Sequence, residues 1–409
     1  MALSSTLNVT APAKRYQLNW IVSKRADLLW FIGGALGGYF LFYLHSGLHL
    51  DMLTVWFFWV VFIDTPHFFG TYSRTYFDKE EFRHRKKLYL GSLGWLLVGP
   101  TMIFISYLLF KANVMSYRIP FIIFIVFFNL WAYWHVVRQH YGIMSLYKRK
   151  NGDFSFFDRR LDQAILYVGL IAPFVSFVFR HPDARTILGL HGLVPALPST
   201  TFFGLFGWSY WSQLTWEQDI LVLSIIAVSS VSLVFLFRQV QLLSQNKPIN
   251  LPKLIFLMAL LPLYMYICYS PAALTAPLIA FSAFVTVYHD IQYLAIVWFY
   301  NKNKYHGDGA SKEKYGLAVK ISKNFFTFIL CGVSMAAIFR LFGCSMQIHP
   351  GCGVLVMTSK YVLFPTFTTK ELLTGFLLGF SLHHYFVDQF IWRPSKDKQL
   401  RKDLHLKNA

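Results

Sequence analysis

Charge is what this chain has least of. Only 14% of its 409 residues are Asp, Glu, Lys or Arg, against 56% hydrophobic, and the 19 acidic residues are half as many as the 38 basic ones. A water-soluble domain cannot hide that much apolar surface. Cysteine is scarce too. Cys268, Cys331, Cys344 and Cys352 show no CxxC or other zinc spacing, and they cannot supply the thiolates of an iron–sulfur cluster. Cys344 and Cys352 leave a small disulfide open as an alternative if they face an oxidising compartment. There is no Walker A loop, no GxSxG elbow and no HExxH, so the chain carries no motif for P-loop, α/β-hydrolase or zincin chemistry. Internal repeats and an inserted soluble domain are also absent, and residues 1–27 are polar and mixed, without the pattern of a cleavable signal.

What the chain does have is long apolar runs. They predict an all-α, polytopic membrane helix bundle of about ten transmembrane helices, at 28–48, 52–70, 88–110, 119–140, 161–180, 218–240, 253–270, 272–300, 323–343 and 371–392. Residues 1–27 form an N-terminal segment, 28–392 the bundle and 393–409 a basic tail. The segment 352–365 is too short and polar to span, and reads as re-entrant or interfacial. The connection 181–217 is rich in Phe, Tyr and Trp and reads as an interfacial loop, with a cover over the outer face as the alternative. With 42 Phe, 23 Tyr and 12 Trp, the aromatic content suits lipid-facing helices with interfacial anchors.

The formal net charge of +19 raises the question of nucleic acid, but the basic residues are spread over many short loops and form no groove, so no nucleic acid partner is expected. Placed on the ten-span scheme, all but seven of the 38 Lys and Arg fall on one side; the seven are Lys111, Arg118, Arg180, Arg185, Arg340, Lys360 and Lys370. By the positive-inside rule the heavy side is cytoplasmic and holds both termini. In a bacterium this is a protein of the inner membrane.

That orientation turns scattered polar residues into a set. Helices two, four, eight and ten run inward and bring Asp64 and His67, His135 and His140, Tyr288, His289 and Asp290, and His383, His384, Tyr385 and Asp388 into the same half of the bilayer. Ionisable side chains at this depth are costly and mark functional positions. Several imidazoles with carboxylates nearby point to a metal centre, with a proton or substrate pathway and structural polar contacts as the competing explanations. Asp64 and His67 (i,i+3) share a helix face, as do His384 and Asp388 (i,i+4), so each carboxylate can ligate a metal or orient its imidazole. His135 and His140 are about 140° apart on an ideal helix and reach one centre only if the helix ends or bends between them, which Gly142 would permit. Pro66 distorts the turn carrying His67. His383 and His384 diverge by about 100°, and His384 is favoured because Asp388 lies on its face.

The expected metal set is His67, His135, His140, His289, His383, His384, Asp64 and Asp388. Tyr288, Tyr385 and Asp290 are the candidate catalytic groups, and Tyr141 and Tyr293 also flank the histidines. His45, His49, His181, His191 and His349 fall on the outer side and read as interfacial. His84, His306 and His405 read as solvated, with His84 also able to reach the centre from its loop. Arg74, Arg138 and Arg393 close the inner ends of helices, either as topological anchors or as a clamp for a headgroup or carboxylate.

The pair His383-His384 and the segment His135 to His140 resemble the boxes of histidine-box membrane iron oxygenases: fatty-acid desaturases, hydroxylases and alkane monooxygenases. The usual series of HxxxH, HxxHH and HxxHH is absent, and the number of histidines suits one iron held by about four of them. In that respect the chain is similar to the Brp/Blh membrane carotene-cleaving dioxygenases. Both resemblances imply non-haem iron (one or two ions), dioxygen and a lipid-soluble substrate taken from the membrane lipids. An electron-donor protein could then dock on the basic cytoplasmic face. Two readings of other classes remain: a proton-coupled transporter using the intramembrane His and Asp, and a haem-binding electron-transfer protein with two axial histidines.

Overall fold

The computed structural model describes residues 16–187, 216–307, 309–343, 362–364 and 367–406. Its long helices are α1 (Lys24–Ser46), α2 (52–74), α3 (Lys86–Lys111), α4 (Ile119–Asn151), α5 (Phe156–Arg180), α6 (Trp216–Ser244), α7 (Leu251–Tyr269), α8 (Leu278–Tyr305), α9 (Phe325–Gly343) and α10 (Thr369–Ile391). Seven of them, α1 and α3 to α8, are long and apolar enough to cross a membrane, which makes this an all-α membrane bundle. In α2 and α10 the apolar run is broken by polar residues: Asp64 and His67, then His383, His384 and Asp388. Strand is confined to two short pairings among the described residues, Tyr16–Gln17 parallel to Ile249–Asn250 and Val362–Phe364 antiparallel to Phe367–Thr368.

α8 is the central helix. Its most apolar stretch is 83% buried, against 50% or less for the other six membrane-length helices, and it packs on α1, α2, α4 and α7. The predicted continuous run 272–300 is broken: Pro271–Thr275 forms a short helix, and α8 starts afresh after Pro277, whose missing N–H suits a helix start. α2 bends where Pro66 was expected to distort it. A π-helical turn, Val60–Asp64, ends two residues before Pro66, whose ring would clash with an ordinary α-helical carbonyl. α9 crosses at the same point, because Gly332 has no side chain: a Cβ there would lie 2.7 Å from Pro66 Cα.

One expectation fails. α4 does not end near Gly142 but runs unbroken for 33 residues to Asn151, where Gly152 (φ 66°) caps it in the left-handed conformation. Gly142 lies on an open face, where an added Cβ would meet nothing within 4 Å, so its sequence position signals no break. The loop 188–215 and residues 344–361 lie outside the described residues, and with them most of the 181–217 connection, most of 352–365, His191, His349 and the Cys344–Cys352 pair.

α10 is seated on α3 through Gly375-x-x-x-Gly379, a small-residue motif that allows close backbone approach. Gly375 faces Gly99, and a Cβ on Gly379 would stand 2.6 Å from Leu96 Cα. The capping box of Thr368 and Glu371 starts α10. At the basic end, Lys148 and Lys253 pair with Asp153 and Asp162, with Lys253 Nζ 2.7 Å from Asp153 Oδ2. Burial alone would raise the Asp153 carboxyl, but Lys253 and Lys148 beside it hold it below the usual carboxylate range. The basic tail also folds back. Its helix Lys398–Asp403 docks on the same end, burying Leu400, Leu404 and Leu406.

Gly379→Leu should lower the thermal unfolding midpoint of the detergent-purified protein by several degrees, since overpacking costs ~1–3 kcal/mol. Gly142→Ala should leave it unchanged or raise it by the ~0.5–1 kcal/mol that Ala gains over Gly inside a helix. A destabilised Gly142→Ala protein would contradict the continuous α4.

Candidate metal centre

Four helices each deliver one imidazole to a common point: His67 from α2, His135 from α4, His289 from α8 and His384 from α10. One ring nitrogen from each can be chosen so that all four lie within 4.8 Å of one another. Centroid separations are 4.5 Å for His67–His384, 4.8 Å for His67–His289, 4.9 Å for His135–His384 and 5.0 Å for His135–His289, with the rings tilted at 69–89°. All four are buried, at 0–7% exposure.

The contacts between the rings say what the group can do. His289 Nε2 stands 3.2 Å from His67 Nε2. Two imidazole lone pairs repel at that distance unless they share a proton or a cation. Two nitrogens each ~2.1 Å from one ion stand roughly 3.0–3.4 Å apart, which the observed separation matches. His135 Nε2 and His384 Nε2 are buried with no hydrogen-bond partner, as is His289 Nδ1. A buried polar atom left unpaired costs ~1–3 kcal/mol. One proton relieves one pair, whereas one cation serves all four rings.

The surrounding hydrogen bonds set the tautomers. Tyr293 and Thr71 both donate to Asp388 Oδ1, at 2.8 and 2.9 Å. With its hydroxyl proton committed, Thr71 Oγ1 accepts from His384 Nδ1 at 2.7 Å, which leaves the His384 Nε2 lone pair free. On the other side, Asp290 Oδ1 lies 3.3 Å from His67 Nδ1, both atoms being buried without a hydrogen-bond partner, while His67 Nε2 faces His289. Trp59 Nε1 holds Asp290 by donating to Oδ2 at 2.9 Å. Asp64 stands at 4.0 Å from the same His67 nitrogen. Gln139 on α4 donates to the His289 carbonyl at 2.7 Å and ties α4 to α8 at this level.

Other expected members are not brought into the group. His140, about 140° round the unbroken α4 from His135, has its ring 6.4 Å from that of His289 but donates from Nε2 to Tyr264 (2.9 Å), whose own proton goes to the Val285 carbonyl. The helix would have to bend for His140 to join His135, and it does not. His383 engages Tyr76 through Nε2 (2.8 Å) and Tyr72 through Nδ1 (3.3 Å), so both its nitrogens have partners. Asp388 reaches His384 through Thr71, its carboxylate 3.8 Å from the ring. The Tyr288 hydroxyl donates to the Phe31 carbonyl (2.6 Å), away from the histidines. Tyr385 does lie at the group, stacked on His135 with centroids 4.5 Å apart. Tyr141 accepts from Gln163 and stays outside.

Two further expectations change, and one holds. His181 is buried, not interfacial: its Nδ1 accepts from the N–H of Asp183 and its Nε2 donates to the Ala276 carbonyl, joining the end of α5 to the turn before α8. His84 is exposed at the basic end, in keeping with its solvated reading. Arg74 clamps no headgroup, because it is 1% exposed and sandwiched between Tyr300 and Trp392 at 4.1 and 4.0 Å. Thr71 and Trp59 were missed by sequence reasoning. Thr71 carried a usable signal, its i+4 spacing from His67 on one helix face.

No family model, curated protein or solved structure matches the chain.

Replacing any one of His67, His135, His289 or His384 with Ala should abolish transition-metal content in the purified protein, measured by mass spectrometry of the metals. His140→Ala and His383→Ala should retain it. Asp290→Asn should weaken affinity by about 10–100-fold, the usual effect of losing a group that orients a ligand. Metal loss in the His140 and His383 variants equal to that in the other four would show that the boundary of the group is drawn wrongly.

Proposed function

We propose that this chain is a multi-pass membrane oxidoreductase with non-haem iron at the four-histidine group, acting on a lipid-soluble substrate in the cytoplasmic half of the bilayer. The observation that carries this reading is the convergence of four buried imidazoles from four helices, with His135 Nε2 and His384 Nε2 lacking any other partner. In this reading the ten helices all span, both termini are cytoplasmic, and the basic face meets an electron donor. The donor set, all imidazole with carboxylates one step removed, suits iron that activates dioxygen. Bound there, iron would supply the oxidising power for desaturation, hydroxylation or cleavage of a hydrocarbon segment.

The chain's own contributions follow from the contacts. His67, His135, His289 and His384 hold the ion. Thr71 fixes His384 in the tautomer that presents Nε2, and the Asp290 carboxylate lies beside His67. Phe68, 4.8 and 4.9 Å from the rings of His67 and His384, helps exclude water. The line from His384 through Thr71 and Asp388 to Tyr293 offers a path for a proton, and Tyr293 and Asp388 line a cavity at the inner end of the bundle.

That same line is the observation that favours proton-coupled transport. Proton flux into liposomes that disappears in His289→Ala would support transport over oxidation. Haem is the weaker fit, since rings packed edge to face at 4.5–5.0 Å leave no planar slot for a macrocycle.

Purified protein should contain about one iron per chain, show no Soret band, and consume dioxygen when given membrane lipid extract and a reductant. A well-folded preparation that takes up no iron would end this proposal. A reporter fused to the C-terminus should read as cytoplasmic.

A further inference from the structure

A cavity of about 380 Å³ lies between the inner ends of α4 and α10. His135, Tyr293 and Asp388 line it, so it meets the four-histidine group at His135. Its walls are largely apolar, with Trp131, Ile296, Trp392 and Leu404 among them, Leu404 being contributed by the folded-back tail. Arg138, Arg149 and Arg393 also line it.

None of these three arginines forms an ion pair among the described residues. Arg138 donates to the neutral Tyr167 hydroxyl at 2.6 Å, and Arg393 lies over the Phe390 ring at 4.9 Å. Asp388 is the single carboxylate lining the cavity, and it is already engaged by Thr71 and Tyr293. An apolar space lined by three uncompensated guanidinium groups is complementary to an anion with a hydrocarbon tail. The volume is small, near the low end for ligand pockets, and suits a single chain better than the two chains of a phospholipid.

Helix geometry places the parts in order. His135, Arg138, Gly142, Ser145 and Arg149 recur on one face of α4 and all line the cavity. Arg149 is fourteen residues beyond His135, ~21 Å along the axis, and Arg393 is nine residues beyond His384, ~13 Å. An anion held by Arg149 and Arg393 therefore stays at the inner surface, and only its tail reaches the histidines.

We propose that this cavity binds a long-chain carboxylate, a single-chain fatty acid anion, head toward Arg149 and Arg393 and chain toward His135. The inference rests on the four-histidine group being the reacting centre. It narrows the substrate class from lipid-soluble molecules in general to amphiphiles, and excludes wholly apolar hydrocarbons. It also places the reacting position well down the chain, many carbons from the head.

The test is calorimetric binding to the full chain in nanodiscs of zwitterionic lipid, using palmitate, hexadecanol and hexadecyl phosphate as probes. Palmitate should bind at least about 10-fold more tightly than hexadecanol, the usual worth of a charge-assisted contact. R149Q and R393Q should each remove most of that preference while leaving hexadecanol binding unchanged, which also reports that the variants are folded. Equal affinity for palmitate and hexadecanol, or variants that keep the preference, would overturn the proposal. Tighter binding of hexadecyl phosphate than of palmitate would overturn the carboxylate assignment. Iron measured on the same samples separates the two readings. Iron present without a palmitate preference removes only the substrate class, and a palmitate preference without iron removes only the oxidative centre.

Discussion

Four imidazole rings held against one another inside an apolar bundle are the constraint on which the rest of this structure depends. His289 Nε2 and His67 Nε2, 3.2 Å apart, must share a proton or a cation, and the buried His135 Nε2 and His384 Nε2 have no partner, so a species shared at the middle would relieve all four rings. A water has only two protons to donate and cannot serve four nitrogen lone pairs at once. A cation can, and the tautomer imposed by Thr71 on His384 presents the nitrogen a cation needs.

Keeping four rings from four helices together fixes the depth and rotation of each helix, and local features of the sequence serve that end. The π-turn ahead of Pro66 sets the angle of the segment carrying His67, and Gly332 lets α9 press against it. Gly375 and Gly379 draw α10 onto α3, which fixes the helix that bears His384. Gln139 links α4 to α8 at the level of His289. The pairing of Lys148 and Lys253 with Asp153 and Asp162 then locks the basic end of α4 to α5 and α7. With the helices fixed in this way, the arginine-lined cavity meets the four-histidine group at His135.

The helix bundle was legible from composition and apolar run length, because a segment that crosses a bilayer must be long, apolar and self-satisfied in its hydrogen bonds. The gathering of His residues from α2, α4, α8 and α10 was legible as well, since the charge bias of the loops orders the helices before any contact is known. Less legible was which histidines face one another. His135 and His140 differ by a rotation that only the course of α4 decides, and Gly142 suggested an end where the helix continues for nine more residues. His383 and His384 are adjacent in sequence, yet one meets Tyr72 and Tyr76 and the other meets the cluster.

The sequence by itself therefore determined a membrane bundle with polar, imidazole-rich segments at one depth, because solvent partitioning acts on each segment separately. Only the tertiary structure decided that His67, His135, His289 and His384 form one group, that Arg74 is enclosed between two aromatic rings, and that the tail walls a cavity. Those outcomes depend on rotation and packing between helices, and such interactions between distant residues leave no mark in any single stretch of the chain.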